Sequence, residues 1–146
     1  MSGGFRAVGL ASKDEGDLVR FGMEATVNKQ AAINGYEAFG AMDPDGAMKD
    51  ISDSIEWVVS GDNTLTGTYA GKAQVGELWM KFLEKGLKIT PKEFIAEGNK
   101  VIVLCHNELD GNAAESADVL SYDDEGKLVR FETFGGEAQL DRAFPR

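Results

Sequence analysis

Four strand-like runs in the C-terminal half constrain this fold most: Leu87–Ala96, Val101–Leu109, Glu115–Tyr122 and Lys127–Phe134. Turn chemistry separates them, at Glu97-Gly98-Asn99, Asp110-Gly111-Asn112 and Asp123-Asp124-Glu125-Gly126. Connections this short cannot carry a chain back to a parallel neighbour, so the runs predict an antiparallel meander. Ile102, Val103, Leu104 and Cys105 are apolar at both parities, which predicts a strand covered on both faces, by helices on one and by a pocket or second subunit on the other.

Helical spacing dominates the first half. Ala25, Ala32, Tyr36 and Phe39 recur at seven, four and three residues, predicting a helix from about Glu24. Asp43-Pro44 reads as the start of a short second helix through Ala47, Met48 and Ile51, with a carboxylate cap and a proline that lacks no needed donor. Ser54 to Val59 alternates as a strand, with Ile55, Trp57 and Val59 on one face, and Ser60 to Thr64 reads as a loop. Val75, Leu78, Trp79, Phe82 and Leu83 define a third helix that Gly86 ends. Helices gathered ahead of consecutive strands predict an α+β fold, with three N-terminal-half helices packed on a mainly antiparallel sheet. Residues 1–23 mix five glycines with scattered Phe5, Leu10, Leu18 and Phe21 and read as an N-terminal arm or a short packed extension; residues 24–146 form the domain.

Composition narrows the partners. At 146 residues the chain suits one domain, with about two-thirds of its surface buried on folding. The net charge of -10 repels phosphate backbones and anionic lipid, so neither nucleic acid nor a membrane surface is expected. Cys105 is the single cysteine, placed where a small hydrophobe serves, and no internal disulfide can form. No apolar run suits a signal peptide or approaches the roughly 20 residues of a membrane span, so the expected location is the cytoplasm. His106 and Cys105 are strand neighbours that point to opposite faces, and Gly67-Thr68-Tyr69-Ala70-Gly71 lacks the ending of a nucleotide loop. The expectation is a site without metal or cofactor.

Three segments, taken in order and spacing, resemble the nuclear-transport-factor-2-like (NTF2-like) superfamily, which includes SnoaL-like polyketide cyclases and ketosteroid isomerases. They are Tyr36-Glu37-Ala38-Phe39-Gly40-Ala41-Met42-Asp43, then Ile55-Glu56-Trp57-Val58-Val59-Ser60-Gly61, and Ala117-Asp118-Val119-Leu120-Ser121-Tyr122 with Gly126-Lys127-Leu128-Val129. The resemblance covers about Glu24 to Phe134 and implies a cystatin-like cone: a curved sheet wrapped on helices around a deep apolar pocket, usually in a homodimer. It also implies that Asp118 stands where the isomerases carry a protonated aspartate and the cyclases an acid-base aspartate. The isomerase carboxyl is kept neutral by its apolar surroundings. By the same spacing Val59 stands where the isomerases' proton-abstracting aspartate would be and Gly35 where their hydroxyl-donating tyrosine would be, which argues against steroid isomerisation by that route. The Asp-Arg-Asp set of limonene epoxide hydrolases has no arginine in Cys105-His106-Asn107-Glu108.

Chemistry on the residues themselves converges on Asp118, a carboxyl between Ala117 and Val119 in a strand. An interior carboxyl must be paired, hydrogen-bonded or neutral, and desolvation suits it to proton transfer; at a strand edge it would instead face solvent. His106, the only histidine, is its candidate catalytic partner, provided the two share a face. Paired residue numbers in an antiparallel hairpin keep a constant sum, and only an even sum puts 106 and 118 on one face. Trp57, Tyr36 and Tyr69 are candidate ligand-binding aromatics, though such residues also build cores. Glu132 shares parity with Leu128 and Phe134, which would turn it inward as a ligand-binding carboxylate, whereas Arg130 on that parity favours a solvated or interface pair. The expected function is cofactor-free proton transfer on a small, largely apolar carbonyl or ring-containing ligand, of cyclase, isomerase or dehydratase type. The alternative is a non-catalytic binding or assembly module of the same fold.

Overall fold

A computed structural model describes residues 15–146 of the chain. Its elements run α1 (Glu15–Gly40), α2 (Pro44–Met48), β1 (Ile51–Val59), β2 (Gly67–Ala70), α3 (Gly71–Glu84), β3 (Lys88–Glu97), β4 (Lys100–Leu109), β5 (Asn112–Tyr122), β6 (Leu128–Phe134) and α4 (Glu137–Ala143). The strands form one open sheet in the order β2-β1-β6-β5-β4-β3. Only β1 against β6 is parallel; the meander β3 to β6 is antiparallel throughout. The architecture is α+β, with α1 laid across β3 and β4 and α3 across β1 and β2.

Local chemistry explains the joints. Between β4 and β5 the chain reverses on Asp110 and Gly111, at φ 51 and 80, the two left-handed positions of a tight hairpin turn. At the start of α2 the Asp43 carboxylate accepts from the Gly46 amide and Pro44 fills the first turn. Register shifts between Ile51 and Glu56, Pro91 and Glu93, and Ser121 and Tyr122 interrupt three ladders, and each such bulge bends and twists its strand.

One face of the sheet is the core face. Val101, Val103 and Cys105 of β4 are buried there with Ile55, Leu120 and Phe131, beneath Ala32, Tyr36 and Phe39 of α1 and Trp79 of α3. Ile102 and Leu104, at the other parity, are only half-buried. Thus β4 is covered by the chain on one face, not both.

Several elements depart from the expected pattern. α1 begins at Glu15, inside the segment 1–23; the part of that segment before residue 15 lies outside the described residues. β1 begins at Ile51, three residues early, because its parallel pairing to Leu128 extends it. β2 and α4, of four and seven residues, are too short to show a periodicity. Among the described residues no helix is long and apolar enough to cross a membrane.

The α3 end has its own small core of Val59, Leu65 and Leu78. Leu78→Ala should therefore lower unfolding free energy by about 2–5 kcal/mol in denaturant titrations, since Leu78 is 0 % exposed. A loss below about 1 kcal/mol would show that this cluster does not hold α3 on the sheet.

Candidate functional site

Asp118 lies in the middle of β5, paired to Val103 of β4 on one side and Thr133 of β6 on the other. Its side chain is on the core face and only 4 % exposed. Three neighbours satisfy it. The Thr133 hydroxyl donates to Oδ1 at 2.7 Å, the Tyr36 hydroxyl of α1 donates to Oδ2, and the Cys105 thiol reaches Oδ2 at 3.6 Å. Each comes from a different element, so the site exists only once α1, β4, β5 and β6 are assembled.

A cavity of about 160 Å³ opens between sheet and helices beside this carboxyl. That is close to the roughly 150 Å³ at which an apolar cavity admits a single aromatic ring. Its walls are aromatic: Trp57 stacks on Phe131 at 3.7 Å and 11°, Trp79 meets Trp57 edge-on at 5.5 Å, and Phe39 meets Trp79 at 5.3 Å. Tyr36, Asp118 and Thr133 all line it, so the carboxyl and its hydroxyl partners sit where a ligand would.

Burial raises the Asp118 carboxyl above the ordinary aspartate range, and the bonds from Tyr36, Thr133 and Cys105 pull it back only in part. Burial and then the Asp118 charge hold the Tyr36 phenol far above its usual value, so it is a permanent donor. Burial likewise raises the Cys105 thiol and keeps it protonated. The cluster is a carboxyl able to carry a proton nearer neutrality, coupled through a phenol to an apolar chamber.

Solved structures of the same shape exist. No protein-family model matches the chain and no curated protein does. An NTF2-like protein from Burkholderia thailandensis E264 superposes with a TM-score of 0.69 at 25% identity, covering 80% of this chain and 95% of its own. A protein of unknown function with a cystatin-like fold from Xanthomonas campestris gives 0.71 at 23% identity, covering 80% and 96%. TerC, co-crystallised with polyporic acid, gives 0.71 at 24% identity, covering 80% and 97%. The chain has the NTF2-like fold.

The NTF2-like sheet sorts the candidate residues by face. Asp118, Trp57 and Tyr36 meet at the cavity. His106 does not: it pairs with Glu115, an odd sum, so it points to the opposite face from Asp118 and the expected dyad is corrected. There His106 Nδ1 contacts the Glu115 carboxylate, which also takes the Lys92 ammonium at 2.7 Å, and these partners hold the Glu115 carboxyl below its ordinary range. Glu132 is also turned outward, against Arg130 at 3.2 Å. The bulge between Leu128 and Arg130 reverses the parity of β6, so Leu128, Phe131 and Thr133 face inward and Glu132 does not. Tyr69 leaves the ligand set as well, because its hydroxyl donates to the Leu65 carbonyl at 2.7 Å and its ring packs between the two cores.

Sequence pattern alone leaves other site residues unassigned. Thr133 follows from the pairing sum it shares with Asp118, but that sum is visible only in the folded register. The family spacing points to Gly35 as the position of a hydroxyl donor; the donor to Asp118 is Tyr36, one residue on. Val59 lines the cavity without a carboxyl, so Asp118 is the acid at this wall.

The raised carboxyl makes a signed prediction. The folded state holds the Asp118 proton more tightly than an unfolded aspartate, which titrates near about 3.9. Stability from this proton is present below that value and is lost as pH rises through the raised folded one. Denaturant titrations from roughly pH 3 to 8 should thus show wild type losing stability relative to Asp118→Asn as pH rises. A difference independent of pH would show that Asp118 is not a raised acid.

Proposed function

We propose that the chain binds a small, largely apolar, ring-containing carbonyl compound and moves a proton on it without a cofactor. The observation that carries this reading is a buried carboxyl bonded to a phenol on the wall of an aromatic cavity. Asp118 is the acid-base group. Tyr36 is the donor to the ligand oxygen, and Trp57 with Phe131 is the flat wall against its ring.

The hydrogen bonds suggest how the two cooperate. While Asp118 is ionised it accepts the Tyr36 hydroxyl. As it takes a proton from the carbon next to the carbonyl, the C–H electron pair moves into an enolate, and the protonated carboxyl no longer needs that donor. The Tyr36 hydroxyl then turns to the enolate oxygen, where the charge has developed. Returning the same proton to another carbon completes an isomerisation; returning it to a departing hydroxyl completes a dehydration. Among the structural neighbours, TerC was co-crystallised with polyporic acid, which supports a ring-containing ligand.

We also propose a homodimer. The sheet face turned away from the helices presents Phe134, 52 % exposed, and Ile95, 45 % exposed, beside half-buried Ile102 and Leu104. It is flanked by Arg130 with Glu56 and Glu132, and by Lys92 with Glu115. Each flank carries both signs, which suits contact of one surface with a copy of itself.

Three measurements test these readings. A thermal-shift screen of ring-containing ketones should find ligands that raise the melting temperature, and on an accepted substrate Asp118→Asn should lower turnover about 10²–10⁴-fold. Turnover unchanged in that variant would end the acid-base role. Sedimentation should give a dimer that Phe134→Lys dissociates; a monomer at high concentration would remove the second proposal.

A further inference from the structure

Tyr122 ends β5 on the same face as Asp118, is 3 % exposed and lines the cavity. The Tyr36 and Tyr69 hydroxyls both have protein partners, whereas among the described residues the Tyr122 hydroxyl has none. A buried hydroxyl without a partner carries its whole desolvation penalty, so one in a cavity wall calls for a group that completes it.

The neighbouring cavity wall carries Asp50. Asp50 precedes Ile51, Ile51 pairs with Leu128, and Leu128 pairs with Tyr122, so the two groups stand across β6 from one another. Two strand spacings separate their main chains, about 10 Å. The Leu128 amide donates to the Asp50 carbonyl at 2.8 Å and fixes this arrangement. Among the described residues the Asp50 carboxylate has no hydrogen-bonding or ion-pair partner; the nearby Lys127 ammonium donates instead to the Lys49 carbonyl at 3.1 Å. Gly46 and Ala47 complete this wall with little bulk.

We infer that Tyr122 and Asp50 form a second polar station, which reads a hydroxyl group carried on the ligand's ring. The inference rests on the proposed reading of Asp118 and Tyr36 as the carbonyl station. One hydroxyl engages both the orphan phenol and the half-buried carboxylate, its oxygen accepting from Tyr122 and its hydrogen donated to Asp50. An ether could not donate to Asp50, and a cationic amine could not accept from Tyr122. Burial and then the Asp50 charge raise the Tyr122 phenol well beyond its usual range, so it stays a donor. The substrate class thereby narrows to hydroxylated ring ketones, with the carbonyl at Asp118 and Tyr36 and the hydroxyl at the far end.

Three small probes separate the two stations: acetophenone, which has only a carbonyl; 4-ethylphenol, which has only a hydroxyl; and ethylbenzene, which has neither. Dissociation constants from NMR titration are compared for wild type, Tyr122→Phe, Asp50→Asn and Asp118→Asn. In wild type 4-ethylphenol should bind about tenfold tighter than ethylbenzene, as one charge-assisted hydrogen bond provides. That advantage should shrink in Tyr122→Phe, shrink at least as much in Asp50→Asn, which removes the charged partner, and survive in Asp118→Asn. Tyr122→Phe should also melt no lower than wild type, because it removes an orphan rather than a bonded hydroxyl. No phenol advantage in wild type, or one that Tyr122→Phe leaves intact, overturns the second station. Acetophenone binding indifferent to Asp118→Asn would instead count against the carbonyl station, so the two failures are distinguishable.

Discussion

Burying one carboxyl in the middle of a sheet sets the terms for the rest of this molecule. An aspartate that loses its water must be given donors, and the donors to Asp118 arrive from α1, β4 and β6. Their convergence requires the register of three strands and the rotation of a helix to be correct together. A one-residue slip of β5 would turn Asp118 to the outer face and Ala117 or Val119 inward. The hydrogen bonds around this acid therefore tie the ladders and the helix to a single arrangement, while the residual desolvation leaves the carboxyl less acidic than its solvated counterparts.

The same sheet separates two chemistries. On the inner face aromatic rings pack edge-on and stacked around a space they do not fill. Charged residues collect on the outer face, with Lys92, His106 and Glu115 at one side and Glu56, Arg130 and Glu132 at the other. Those exposed pairs add little stability, since water screens them. Their arrangement matters more for what the outer face can approach.

Much of the fold is legible in the chain because the signals are local. Asp110-Gly111 dictates a tight reversal whatever surrounds it, and Val75 through Leu83 repeats at helical spacing over enough turns to be unambiguous. Asp118 is legible as a carboxyl interrupting an apolar strand. The pairing of that strand is not. His106 is a natural partner by residue type, but the hairpin sum places it against Glu115. Glu132 follows simple alternation from Leu128, but an extra residue at the bulge reverses the count. Tyr69 carries a free-looking hydroxyl that a loop carbonyl four residues earlier consumes.

By itself the sequence determined the order of the longer helices and strands, the meander, and the presence of one acid where an apolar residue is expected, because propensity, turn chemistry and periodicity act over a few neighbouring residues. Tertiary structure alone decided which hydroxyls meet that acid, which charged residues are turned outward, and that Tyr122 and Asp50 line one cavity from either side of β6. Those outcomes depend on register, and register depends on bulges and on the docking angle of α1, which arise from packing between segments distant in the chain.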